Sequence, residues 1–341
     1  MTHEFLQLVK IARNKKENGI KCVLASVVHL EGSSYRKPGV RMLIDEHGNS
    51  TGAVSGGCVE KEICRRAQSV FQSNRSKVIT YDGRYRLGCE GVLYILIEPF
   101  DVSKSFYSEF LIQMEARNSF QITSYFKRQE EEITGDFGSV LSFSDQQSFK
   151  FSKEQISISD NDLFKQSFKP RFKLLILGAE HDAVKLCTMA SILGWEVTVV
   201  SSIKDPKSIS DFPGATRVLA ENPEMIDLTD LDMQTAVVLM NHNYVTDLQY
   251  LIKLHEKEFC YLGMLGSFKR WEQLQHELLN YIPDISFSFL EKVCSPAGLN
   301  IGSETPEEIA ISILSEILSV TRNKESYSLK KLKSNQISKI D

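Results

Sequence analysis

No apolar run in the chain approaches the ~20 residues that a bilayer-spanning helix needs, so the sequence carries no membrane anchor of that kind. A basic excess is missing too. The formal net charge is −4, which argues against a nucleic-acid partner, because affinity for a phosphate backbone rests on a basic surface. Cysteine is sparse and scattered. The residues at 22, 58, 64, 89, 187, 260 and 294 are odd in number and contain no CxxC, so neither a zinc knuckle nor a disulfide framework is supported. No spacing suits a catalytic triad or a paired-carboxylate hydrolase. A signal-peptide block is absent from the first residues, where Phe5, Leu8, Val9 and Ala12 fall at helical spacing instead. A cytoplasmic location is the expectation.

What is present is an ordinary globular composition, with 42% hydrophobic and 25% charged residues in 341, and a length that suggests two domains. The expected class is α/β, with an N-terminal α+β domain over 1–168 followed by a Rossmann-like doubly wound parallel-sheet domain over 169–322 and a polar tail over 323–341. In the first half, residues 22–28 read as a buried strand, and 40–44 with 50–54 as a hairpin. The strongest strand covers 92–97. Polar, β-prone segments from Gln121 to Ile158 suggest a peripheral antiparallel sheet, and Asp160 to Lys169 reads as a linker.

The residues with chemical content cluster early. Gly32, Ser33, Ser34, Tyr35, Arg36 and Lys37 make a flexible loop with hydroxyls and cations, a candidate oxyanion cradle or simply a solvated turn. Ser55-Gly56-Gly57-Cys58 then turns into an amphipathic helix, which puts Cys58 beside a helix N-terminus. Backbone N–H groups there favour an anion and favour thiolate over thiol. The competing view is a small buried cysteine under a turn. Cys89, between Gly88 and Gly91 at the entry to a strand, is the second candidate.

In the second half, residues 173–177, a turn, a helix carrying Leu186 and Ala190, and the strand 196–200 form the opening βαβ unit of a doubly wound sheet. The dinucleotide fingerprint is incomplete. It has Gly178, but Glu180 stands where a second glycine lets backbone meet pyrophosphate, and Ser201 replaces the usual ribose-binding acid. Residues 235–240 deliver His242 to a strand's carboxyl end, as a ligand contact or as a cap. Gly263, Gly266 and Ser267 repeat the strand-to-helix turn and make a second anion seat. Thr305, Pro306 and Glu308 spell a capping box ahead of the last helix.

Taken in order, GSSYRKPGVRMLI, TGAVSGGCVEKEI, LGCEGVLYILIEP, LLILGAEHDAVKL, YLGMLGS and SPAGLNIGSETPEEIAISILSEI resemble the XdhC/CoxI family across nearly the whole chain. The resemblance implies an accessory factor for xanthine dehydrogenase or carbon monoxide dehydrogenase rather than a turnover enzyme. It implies binding of the molybdenum cofactor (molybdopterin), support for its sulfuration and delivery to an apo-molybdoenzyme, with a cysteine desulfurase as a further partner and, by analogy, a homodimer. On that view Cys58 contacts the molybdenum or its exchangeable sulfur, Cys89 assists, and Gly178, His181, His242, Gly266 and Ser267 contribute from the other domain. The departures are Glu180, where similar sequences have a GAGH-like turn, and Ser201, where they carry an acid. Two alternatives stand beside it: an NAD(P)-dependent oxidoreductase, which Glu180 and Ser201 oppose, and a non-catalytic nucleotide-sensing protein.

Overall fold

The computed structural model describes residues 1–33, 37–55, 57–82, 91–129, 133–145, 147–153, 155–158 and 161–331. Ser34, Arg36, Gly56 and Cys89 lie outside the described residues, as does the side chain of Cys58. The chain divides into two compact units, Met1–Pro170 and Arg171–Asp341.

In the first unit, α1 (Thr2–Glu17) buries Phe5, Leu8, Val9 and Ala12, the positions its periodicity marks. Strands β1 (Cys22–Glu31), β2 (Arg41–Asp45) and β3 (Ser50–Gly52) form an antiparallel meander. The β2–β3 turn closes on Asp45, whose Oδ1 accepts the N–H groups of His47 at 3.0 Å and Asn49 at 2.8 Å. After α2 (Cys58–Ser73) come β4 (Lys77–Asp82), β5 (Val92–Pro99) and α3 (Lys104–Glu115). Strand alternation divides the two faces of the sheet. Val23, Ala25 and Val27 of β1 pack with Ile63, Ala67 and Val70 of α2, while Leu24 and Leu43 pack with Phe5 and Phe110 of α1 and α3.

The rest of this unit is β6 (Phe120–Phe126), β7 (Ile133–Thr134), β8 (Gly138–Phe143), β9 (Ser148–Lys150) and β10 (Asp162–Phe168). The sheets run β3-β2-β1-β5-β4-β7 and β10-β6-β8-β9. Two expectations are corrected here. The stretch read as a linker is β10, paired with β6 from Asp162 opposite Phe126 to Phe168 opposite Phe120. Its outward Leu163, Lys165 and Ser167 are exposed while Gln166 and Phe168 are buried, and the polar half of that edge-strand alternation imitates a linker in composition. Nor is the smaller sheet peripheral. Phe120, Ile122, Leu141 and Phe168 share one core with Phe5, and the rings of Phe120 and Phe168 stack at 4.5 Å.

The second unit is a parallel sheet of β11 (Lys173–Leu177), β12 (Glu196–Ser201), β13 (Arg217–Ala220), β14 (Thr235–Leu239), β15 (Tyr261–Met264) and β16 (Val293–Cys294). Its order, β13-β12-β11-β14-β15-β16, is that of the Rossmann fold. Helices α4 (His181–Ile192), α5 (Tyr244–Leu254), α6 (Phe268–Tyr281), α7 (Phe287–Lys292) and α8 (Pro306–Thr321) cover both faces. One core joins α4 and α8 through Leu186, Ala190, Ile313 and Ile317; the other joins α5 and α6 through Leu251, Trp271 and Leu274. The capping box at Thr305 and Glu308 is formed, with Pro306 in the first turn.

Candidate functional site

Register gathers the sequence motifs of the first unit. Glu31 at the end of β1 pairs with Val92 at the start of β5, and Val92 pairs with Asp82 at the end of β4. At the same end β2 begins, at Arg41 opposite Ser26, and β3 ends, at Gly52 opposite Met42. The chain therefore leaves β1, β3 and β4, and enters β2 and β5, at one end of the sheet. Gly32 and Ser33 follow β1 there and are exposed, and Ser55 and Gly57 follow β3. The approach is close: a Cβ on Gly91 would collide with the Ser33 carbonyl oxygen, so bare backbone is needed where the two segments meet.

The turn into α2 is held by a residue that sequence reading treated only as a first-turn acid. Glu60 Oε1 accepts the N–H of Val54 at 3.1 Å and that of Ser55 at 2.6 Å, while Oε2 is buried without a partner among the described residues. Gly57 is the N-cap at φ +76 and makes no side-chain cap, and the acid at the third helical position reaches past it to hold the two amides that lead into the turn. Part of the amide donor set expected to seat an external anion is thereby taken by the protein's own carboxylate. Cys64, on the same helix, is half-buried, and burial first, then Glu60 and Asp45, push its thiol up. It is the poorer nucleophile on those grounds.

In the second unit the chain leaves β11, β12 and β14 around a cleft of about 640 Å³ walled by Glu180, Ser201, Asn241, His242 and Tyr250. This is the crevice where open α/β sheets take ligands. Gly178 is buried beneath it at φ +124, where a Cβ would lie 2.5 Å from the Met240 carbonyl carbon. Glu180 stands at the N-cap of α4, exposed and not capping it, and His181 is likewise exposed. Ser201 is spent internally: its hydroxyl donates to the Leu219 carbonyl and accepts the Lys207 N–H, both at 3.1 Å. His242 is exposed on the wall.

Gly266 and Ser267 are not among the cleft's lining residues. Ser267 Oγ accepts the Arg270 N–H at 3.3 Å and so caps α6, which takes one of the backbone N–H groups expected to seat an anion. Gly263 lies inside β15, where a Cβ would meet the Tyr261 hydroxyl at 2.6 Å, and packing accounts for it. Sequence reading missed a polar cluster that runs from Asn241 on the cleft wall to half-buried Arg270 and buried Asp247. Asp247, 0% exposed, accepts from Arg270 Nη2 at 2.5 Å and from Asn241 Nδ2 at 3.1 Å, and Asn241 also ties to the Leu177 carbonyl at 3.0 Å. Burial pushes the Asp247 carboxyl up even though Arg270 and Asn241 pull it down.

A Rossmann domain that follows in sequence an α+β domain with its motif loops at one sheet end defines a two-part protein of a recognisable kind. The model of the XdhC Rossmann domain matches residues 174–317, and that of the XdhC and CoxI family matches residues 16–82. The chain belongs to the XdhC/CoxI family. It is 29% identical over 320 residues to a Bacillus subtilis protein named as a probable subunit of xanthine dehydrogenase, covering 89% of this chain and 94% of that one. To the molybdenum cofactor insertion chaperone PaoD of Escherichia coli it is 25% identical over 334 residues, 95% of this chain and 91% of PaoD. A crystal structure of a xanthine dehydrogenase from Bacillus halodurans superposes with a TM-score of 0.75 at 26% identity, covering 94% of this chain and 97% of the other.

Proposed function

We propose that this chain is a molybdenum-cofactor-binding accessory protein that shields the cofactor, supports its sulfuration and inserts it into an apo-molybdoenzyme of the xanthine dehydrogenase type. The observation that carries the reading is the convergence of β1, β2, β3, β4 and β5 termini at one sheet end, in a chain similar over 95% of its length to an insertion chaperone. The cofactor is a pterin with a phosphate, sulfur ligands and a metal, and when bound it supplies the metal and its exchangeable sulfur. Its demands on a carrier are backbone donors, close approach and at most one soft protein ligand. The N-terminus of α2, which no side chain caps, supports the first, and the glycine-to-backbone contact of Gly91 with Ser33 supports the second.

Cys58, the first residue of α2, is the soft ligand, with its thiolate favoured by the helix N-terminus. Cys89 shapes the pocket, and Gly32, Ser33, Ser34, Arg36, Ser55, Gly56 and Gly57 contact the cofactor's polar periphery. A cysteine desulfurase and a second copy of the chain are the further partners. The test is transfer: the chain purified from a host that makes the cofactor is mixed with apo xanthine dehydrogenase-type enzyme. Activation above that given by a cofactor-free preparation supports the reading, and no activation contradicts it.

A further inference from the structure

Strand β2 is buried along its whole length, yet it opens on a cation. Arg41 is 8% exposed. Its Nη1 donates to the Gly39 carbonyl at 2.9 Å and to the side-chain oxygen of Gln166. Its guanidinium carbon lies 5.6 Å from the Phe5 ring centre and 5.5 Å from that of Phe168. Nε and Nη2 are buried and have no acceptor among the described residues. The carboxylate whose field reaches Arg41 is Glu98, but both Glu98 oxygens are engaged by Ser139, at 2.7 Å from its N–H and 2.5 Å from its hydroxyl. Burial pushes the guanidinium down only to about 10, so the group keeps its charge at neutral pH.

A buried charge with three unmet N–H groups is costly unless something completes it. The unmet edge, Nε with Nη2, is the fork that grips carboxylate or phosphate in a bidentate manner. Arg41 also helps wall a cavity of about 530 Å³, together with Phe5, Leu8, Thr51, Gly52 and Ala53. Gly52, at φ +85, keeps that wall to bare backbone, since a Cβ would lie 2.7 Å from the Arg41 carbonyl oxygen. Glu4, the carboxylate on the wall, is paired with the Met1 amino group at 3.4 Å. Ala53 leads directly into the turn before Cys58.

We propose that this cavity is an oxyanion subsite, in which the Nε–Nη2 edge of Arg41 holds a phosphate or carboxylate group of a small ligand. Both atoms are covered by protein, so seating the anion turns the guanidinium about its Nη1 contacts or lifts the first turn of α1, where Met1 sulfur accepts from Gln166 at 3.4 Å. The cofactor's phosphate is the oxyanion in view, and that identification alone rests on the function proposed above.

The experiment uses the full chain with inorganic phosphate and pyrophosphate at constant ionic strength, read by calorimetry and by the thermal midpoint. Arg41→Met removes the fork. Gln166→Glu, which keeps the packing and gives the guanidinium an internal carboxylate, covers the case in which Arg41→Met does not fold. Wild type is expected to bind saturably and to gain thermal midpoint, with chloride without effect, and Gln166→Glu to lose at least about tenfold in affinity. No saturable response in wild type, or unchanged binding by Gln166→Glu, overturns the subsite. Bound pterin is measured on the same variants. Loss of phosphate response together with pterin supports the subsite with the cofactor as source; loss of phosphate response with pterin retained supports the subsite and assigns it to a free oxyanion.

Discussion

The Glu60 carboxylate accepts the Ser55 amide at 2.6 Å, and this contact fixes the turn from the helix side. Glu60→Ala strands two backbone donors at once. The expected cost is about 1–3 kcal/mol, seen as a lower midpoint of far-ultraviolet unfolding. Glu60→Gln, which keeps one acceptor, should recover much of it.

Glu98 is wholly buried, and burial lifts its carboxyl from 4.5 to about 7 against the pull of Ser139 and Arg41. The raised value fixes the sign. Below the unfolded pKa the proton is bound in both states and the contribution to stability is complete. As pH rises through the folded pKa near 7 the contribution disappears. Unfolding free energy of the first unit should therefore fall by up to about 3 kcal/mol between pH 4.5 and 8. Glu98→Gln should flatten that slope and be the more stable form at pH 8, which denaturant titrations at a series of pH values would show.

Removing one partner from a buried ion pair costs more than removing both. Arg270→Met leaves Asp247, 0% exposed, without its cation, and should destabilise the second unit by about 3 kcal/mol. Asp247→Leu added to Arg270→Met should restore most of the loss. Both tryptophans, Trp195 and Trp271, belong to the second unit, so tryptophan fluorescence reports this unit alone.

The cleft at Glu180 is expected to refuse NAD and NADP. Its carboxylate stands at the α4 N-terminus, and Ser201 is bonded within the fold. Calorimetric titration should give no binding heat for wild type, and Glu180→Gly should gain affinity for the dinucleotide.

The Rossmann half was legible because continuous apolar strands and one helix-period face admit little else, and because Gly178 answers a backbone contact with Met240. Strand β10 was not legible, since Leu163, Lys165 and Ser167 face solvent and only Gln166 and Phe168 are buried in its second half. Arg41 gave one signal, a cation inside the run from Val40 to Ile44, which is out of place in a buried strand. What it touches depends on Phe5, Phe168 and Gln166, far away in sequence. The meeting of Gly91 with Ser33 depends likewise on the β1–β5 register.

On the function proposed above, the Cys58 turn carries the molybdenum cofactor. Wild type and Cys58→Ala are purified from a host that makes the cofactor, and the pterin released on oxidation is measured by its fluorescence. Pterin bound to wild type and largely lost from a folded Cys58→Ala is the predicted result; equal loading of the two, or none in wild type, contradicts it.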